Sequence, residues 1–134
     1  MGDGHHNKMY QYKKEVGITY AEAIARTKEE LQKEGFGVLT EIDVKATLKK
    51  KLDVDFDDYI ILGACNPPFA YKALQAEQDL GLMLPCNMIV YSKKGKTFVA
   101  AIKPIVQMEK VGNQKLTEIA AQVEEKLKRV VDSI

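Results

Sequence analysis

The sequence predicts an α+β fold, in which a curved and mostly antiparallel sheet carries helices packed on one face. Three observations support this prediction. Apolar residues recur at the helical period in two long segments, whereas other segments alternate or run apolar as strands do. Two of the strand segments flank the turn sequence Lys-Lys-Gly-Lys, which joins them as an antiparallel hairpin. The predicted order is β-α-β-(short α)-β-α-β-β-α.

The first strand and the first helix are predicted near the start of the chain. Lys8–Val16 carries aromatic and β-branched residues among lysines, which favours a strand. Thr19 and Glu22 form a T-x-x-E capping box, and apolar residues then recur at the helical period. Gly35 follows this segment, so an amphipathic helix is predicted between the capping box and the glycine.

The next three elements are predicted from alternation, helix propensity and an apolar run. Phe36–Val44 alternates with period two, which predicts a strand with one well-buried face. Lys45–Leu52 is rich in Ala, Leu and Lys and is predicted to form a short helix, followed by an acidic loop. Tyr59–Ala64 is continuously apolar, as expected for an interior strand covered on both faces or packed under a subunit.

A third helix is predicted from its start and stop signals. Asn66 suits the N-cap position and Pro67 the first helical position. The helix is expected to run to about Asp79 and to end at Gly81. An apolar bridge that includes Pro85 then leads into the next strand.

A hairpin and a long helix complete the predicted fold. Cys86–Ser92 and Thr97–Ile102 form the hairpin, with Gly95 supplying a positive φ in its turn. Pro104 ends the second strand. Asn113–Val131 follows the helical period and is predicted to lie across the sheet.

Composition predicts one cytoplasmic domain that spans residues 1–134. Twenty basic and nineteen acidic residues leave a net charge of +1, so neither nucleic acid nor a membrane is expected as a partner. The sequence contains no apolar run near the roughly 20 residues needed to span a bilayer. Residues 1–7 are predicted to be a disordered leader, and His5 and His6 within it receive no functional role.

The two cysteines of the chain each precede an asparagine at a predicted strand boundary, as Cys65-Asn66 and Cys86-Asn87. A helix N-terminus favours negative charge, so the Cys65 thiol is expected to ionise readily and a small anionic ligand is expected nearby. A strand-helix-strand connection can bring Cys86 back towards Cys65. Both cysteines are candidate metal ligands and candidate catalytic residues, although the sequence places no histidine near them. Buried structural cysteines are the alternative interpretation.

Three ordered motifs, Gly35–Val44, Leu62–Pro68 and Gly81–Asn87, together resemble the family known as domain of unknown function 302. The resemblance implies an α+β fold similar to the TATA-binding-protein-like arrangement, and it implies a homodimer. Asp53 stands where relatives have glycine, in a local turn. The family motif carries over onto Gly35, Phe36, Asp43, Cys65, Asn66, Pro67, Pro85, Cys86 and Asn87.

These observations lead to one functional hypothesis and two alternatives. The leading hypothesis is a homodimeric binding module for a small anionic, thiol-containing or metal ligand, held by Cys65, Asn66, Pro67, Cys86 and Asn87. One alternative is a thiol-dependent enzyme or sulfur carrier, with Cys65 as nucleophile and Cys86 as resolving partner. The other alternative is a purely structural or protein-interaction domain with two inert thiols.

Overall fold

A computed structural model describes residues 9–134 of the chain. His5, His6 and the predicted leader lie outside these residues. The chain forms, in order, β1 (Gln11–Val16), α1 (Tyr20–Lys33), β2 (Gly37–Asp43), α2 (Val44–Leu52), β3 (Tyr59–Cys65), α3 (Pro67–Ala76), a 3-10 helix (Gln78–Met83), β4 (Cys86–Lys93), β5 (Lys96–Ile102), α4 (Pro104–Glu109) and α5 (Gln114–Asp132).

The five strands form one sheet in the order β1-β5-β4-β3-β2, and all neighbouring strands are antiparallel. β1 and β2 are its edges, so the sheet does not close into a barrel. Lys94 and Gly95 join β4 to β5 with φ values of 51° and 78°, the left-handed conformation that this hairpin turn requires. The predicted α+β fold, with an antiparallel sheet and helices on one side, is therefore confirmed.

Helices α1 and α5 pack against one face of the sheet, which we call the inner face. α1 begins at the predicted capping box, where the Thr19 hydroxyl accepts from the Glu22 N–H and the Glu22 carboxylate accepts from the Thr19 N–H. None of the helices in the described part of the chain combines the length and the hydropathy needed to cross a bilayer. The largest fully buried side chains of this core include Leu31, Leu62, Met88, Val99, Leu127 and Val131.

Strand β2 does not have the well-buried face that its alternation predicted. A β-bulge between Val38 and Thr40 makes Leu39 an extra residue, so Val38 lies on the inner face while Thr40 and Ile42 lie on the outer face. Most side chains of β2 are exposed, because the strand forms an edge of the sheet. Phe36 is buried but precedes the strand.

The connections around β4 and β5 also differ from the predictions. α3 ends at Ala76, before the predicted Asp79, and a separate 3-10 helix follows. Gly81 lies within that 3-10 helix and does not end α3. Pro104 does end β5, but it also begins the short helix α4, which was not predicted.

Candidate functional site

The two cysteines lie together at one end of the β3–β4 pair. Cys65 is the last residue of β3 and Cys86 the first residue of β4, and Cys86 pairs with Ala64 in the antiparallel register. The strand-helix-strand connection, which the sequence showed could bring the cysteines together, therefore places them at the same end of the sheet. Both thiols are free, and both cysteines are among the residues that line one cavity of about 40 Å³ between the sheet and the helices α3, α4 and α5.

The walls of this cavity are apolar. It joins the main core of the sheet to a second core cluster under α3 and α4. A volume of about 40 Å³ is enough for a group of only a few atoms, since one water needs roughly 10–15 Å³ by this kind of measure. Besides the cysteines, the wall residues include Phe36, Phe69, Leu84, Met108, Ile119 and Val123.

Burial keeps both thiols protonated. It raises the pKa of Cys65, and burial together with the neighbouring Cys65 raises the pKa of Cys86 to about 11. The direction is opposite to the expected ready ionisation of Cys65. Pro67 and Pro68 supply a physical reason, because both occupy the first turn of α3 and neither has an N–H to stabilise a thiolate or an anion.

Asn66 is buried and holds the end of α1 in place of capping α3. It occupies the N-cap position, but its side chain makes no capping hydrogen bond. Its Nδ2 donates instead to the backbone oxygen of Glu34, at 3.1 Å. Gly35 follows with a φ of 87°, and a Cβ there would lie 3.2 Å from Asn66 Nδ2. Asn66 therefore positions the turn between α1 and β2.

The remaining candidates point away from the cavity. Asn87 pairs with Gly63 in the register and is exposed, on the opposite face of the sheet from Cys86. Pro67 is exposed at the start of α3. The structure thus brings together Cys65, Cys86 and the Asn66 backbone region, and it does not bring Pro67 or Asn87 to the same place.

Two cysteines and Met108, whose thioether is a further soft ligand, are among the residues that line this cavity. Within residues 9–134 the structure contains no group of three or more His, Cys, Asp or Glu side chains that could hold a metal ion. The arrangement offers two neutral, polarisable sulfur atoms against apolar walls. Such a surface suits a small uncharged group better than an ion.

Sequence reasoning did not identify the far wall of the cavity. Met108 on α4 and Leu116, Ile119 and Val123 on α5 form that wall. The helical period of α5 identified its apolar stripe, but the period does not reveal which part of the stripe faces a void. The pattern predicted that these residues are buried, but it did not predict that they line a cavity together with the cysteines.

Comparisons with known proteins agree on one family. The model of the family described as domain of unknown function DUF302 matches residues 12–134. The crystal structure of an uncharacterized conserved DUF302 protein from Bacillus stearothermophilus is similar at a TM-score of 0.88 and 35% sequence identity. The match covers 93% of this chain and 98% of that chain. No curated protein matches the chain.

Proposed function

The chain belongs to the DUF302 family, and we propose that it is a homodimeric binding module whose cavity at Cys65 and Cys86 takes a small thiol-containing ligand. One observation carries this proposal: the protonated cysteines Cys65 and Cys86 are both among the residues that line one apolar cavity of about 40 Å³. The ligand contacts both sulfur atoms through a group of only a few atoms, such as a methylthiol.

A thiol suits this cavity better than an anion. Transfer of a charge into apolar surroundings is strongly unfavourable unless hydrogen bonds compensate it. The two prolines in the first turn of α3 remove donors that would compensate an anion. A neutral thiol needs no such donors, and its sulfur makes favourable dispersion contacts with the apolar wall and with the Phe69 ring.

A thiol also suits the cavity better than a metal ion or a catalytic thiolate. A zinc site requires deprotonated sulfur and usually four ligands. A nucleophilic cysteine acts as the thiolate, and a raised pKa lowers the thiolate fraction at neutral pH. Zinc binding and nucleophilic catalysis both require thiolates, whereas burial favours the protonated thiols.

The binding test uses methanethiol at neutral pH, with a phosphine as the reductant so that no other thiol is present. Amide resonances of residues around the cavity should shift on titration with methanethiol and not with methanol, which has the same shape but a hydroxyl. Cys65→Ser and Cys86→Ser should each weaken this response, whereas Asn87→Ser on the other face should not. Equal responses to methanethiol in the unaltered chain and in all three variants would contradict the proposal that the two cysteines hold a thiol ligand.

The homodimer part of the proposal is supported by exposed apolar side chains beside the edge strand β2. Leu39 is 66% exposed and Leu52 is 65% exposed, and Val54 follows in the same loop region. Edge strands with exposed apolar side chains favour association, and a two-fold axis would place this surface against its own copy. Sedimentation velocity should show a dimer that Leu39→Lys and Leu52→Lys dissociate, while Leu82→Lys on the 3-10 helix does not. A monomer at every concentration would contradict this part.

A further inference from the structure

A second concave surface lies on the outer face of the sheet, away from the cysteine cavity. It is a groove of about 290 Å³ bounded by β1, β4, the start of β3 and the loop before it. This volume is close to the lower end of small-molecule sites. Its wall is formed by Tyr10, Gln11, Lys13, Phe56, Asp57, Tyr59, Ile89, Tyr91 and Lys93.

Gln11 gives this groove the character of a binding site. Its pairing with Ile102 places it on the outer face, two residues from Lys13 on the same strand. Gln11 is only 9% exposed, and its Oε1 atom has no hydrogen-bond partner within residues 9–134. A buried acceptor without a donor is unfavourable, so a ligand group that donates to this atom would be stabilised there.

Aromatic rings form the next part of the groove. Tyr59 and Tyr91 stack with ring centroids 5.4 Å apart, and Tyr91 stacks on Phe98 at 5.1 Å. Phe56 adds a tilted ring 6.1 Å from Tyr59. Lys13 lies over the Tyr91 and Phe98 rings and donates to the Tyr91 hydroxyl at 3.0 Å, which fixes the stack in place.

The charges and hydroxyl groups of the wall narrow the chemical class of the ligand. The wall residues include two lysines, Lys13 and Lys93, and one carboxylate, Asp57, so their formal charges sum to a net positive charge. Burial, with the neighbouring Tyr91 and Tyr10 hydroxyls, raises the pKa of Tyr59, so its hydroxyl stays neutral and able to donate. An aromatic ligand with a carboxylate would suit this wall, because its ring can stack on the tyrosines and its negative charge can pair with a lysine.

We propose that this groove binds a planar aromatic acid that carries an N–H donor, with the N–H directed at Gln11 Oε1 and the ring against the tyrosines. The carboxylate lies on the lysine side of the groove. The site is on the opposite face of the sheet from the cysteine cavity, and its ligand differs in size, polarity and charge. Its occupancy is independent of the thiol-binding proposal.

Two probes of the same shape test the proposal. Indole-3-carboxylate presents a ring N–H, and benzofuran-3-carboxylate replaces that N–H by an oxygen. Titration of the whole chain, followed by amide resonances, should shift residues of β1, β3 and β4 around the groove. The indole acid should bind roughly tenfold more tightly, as expected for one hydrogen bond to a buried acceptor.

Variants of two glutamines test whether the preference for the indole acid depends on Gln11 Oε1. Gln11→Leu should remove the preference for indole, so that the two acids bind alike. Gln107→Leu is the matched control, because Gln107 also has a buried Oε1 without a described partner but is not among the groove residues. It should keep the tenfold preference.

Several outcomes would overturn the proposal. They are equal binding of the two acids to the unaltered chain, an indole preference that persists in Gln11→Leu, and shifts confined to other surfaces. Intermolecular contacts at the groove in a dimer, with no response to either acid, would show that a second copy covers it. The comparison of the two acids on the unaltered chain decides the question even where Gln11→Leu does not fold.

Discussion

The two faces of the sheet carry concave surfaces of opposite kind. The inner face and its helices form a cavity of about 40 Å³ with apolar walls, and its lining includes two protonated cysteines. The outer face forms a groove of about 290 Å³ with tyrosines, lysines and an amide oxygen that has no hydrogen-bond partner within residues 9–134. Residues with a conspicuous motif line the smaller, apolar site, whereas residues without any motif form the larger, more polar one. The size and polarity of a concave surface are therefore as informative about binding sites as unusual residue types are.

The alternation of β4 is the physical origin of this difference. Successive side chains of a strand point to opposite faces, so Cys86, Met88 and Val90 enter the core while Ile89 and Tyr91 face the groove. Each face can thus be altered by a substitution at a neighbouring position.

The largest expected difference is between Met88 and Ile89. Met88 is fully buried, so Met88→Ala leaves a cavity and should lower the free energy of unfolding by about 2–5 kcal/mol. Ile89 is half-buried in the groove wall, so Ile89→Ala should lower it by only about 1 kcal/mol. Urea unfolding measures both values. Similar losses at the two positions would contradict the assignment of a packed inner and an accessible outer face.

A pH-dependent loss of stability should identify the buried thiol of Cys86. Its pKa rises from 9.0 to about 11 on folding, so below pH 9 it is protonated in both states and its contribution is constant. Between pH 9 and 11 only the unfolded state releases the proton, which lowers stability by about 1.4 kcal/mol per unit and by roughly 2–3 kcal/mol in total. Cys86→Ala should lack this loss. Because lysines titrate in both proteins, the difference between the two curves isolates the thiol, and parallel curves would contradict its burial.

Much of the fold was predictable because its signals are local. The capping box of Thr19 and Glu22, the Lys94-Gly95 turn and the period of α5 each depend on neighbouring residues, and each was confirmed. The exposure of β2 was not predictable from its alternation. It depends on the edge position and on the bulge at Leu39, which are properties of the whole sheet.

The candidate site was predicted in part for the same reason. The sequence left open whether Cys65 and Cys86 lie near each other, because this requires both to occupy the same end of the sheet, and the strand register brings them together. The direction of the Cys65 pKa shift was wrong because burial depends on distant helices and not on the adjacent N-cap. The groove on the outer face combines Gln11 with Tyr91 across three strands, and the sequence contains no local signal for that combination.

A smaller effect is expected at Gly63, where the outer face is crowded. A Cβ at Gly63 would overlap Thr40 Oγ1 and lie 2.8 Å from Pro85 Cγ, so Gly63→Ala should lower the free energy of unfolding by about 1–3 kcal/mol. Gly37→Ala is the matched control, since it is also a paired strand position but has no atom within 4 Å of the added Cβ. Thermal and urea unfolding measure both. An equal effect at the two glycines would contradict the close approach of Thr40 and Pro85.

The smallest expected difference is between the two asparagines that follow the cysteines. Asn66→Ala removes the donor to the Glu34 oxygen and should lower the free energy of unfolding by about 1–2 kcal/mol, whereas Asn87→Ala on the exposed side should change it by less than about 0.5 kcal/mol. Asn66→Ser distinguishes two roles for the buried residue. Serine is a good N-cap, but it is too short to replace the amide that reaches Glu34. Because the Asn66 side chain does not cap α3, Asn66→Ser should be as unstable as Asn66→Ala in urea. Stability restored by serine would instead assign Asn66 to the helix cap.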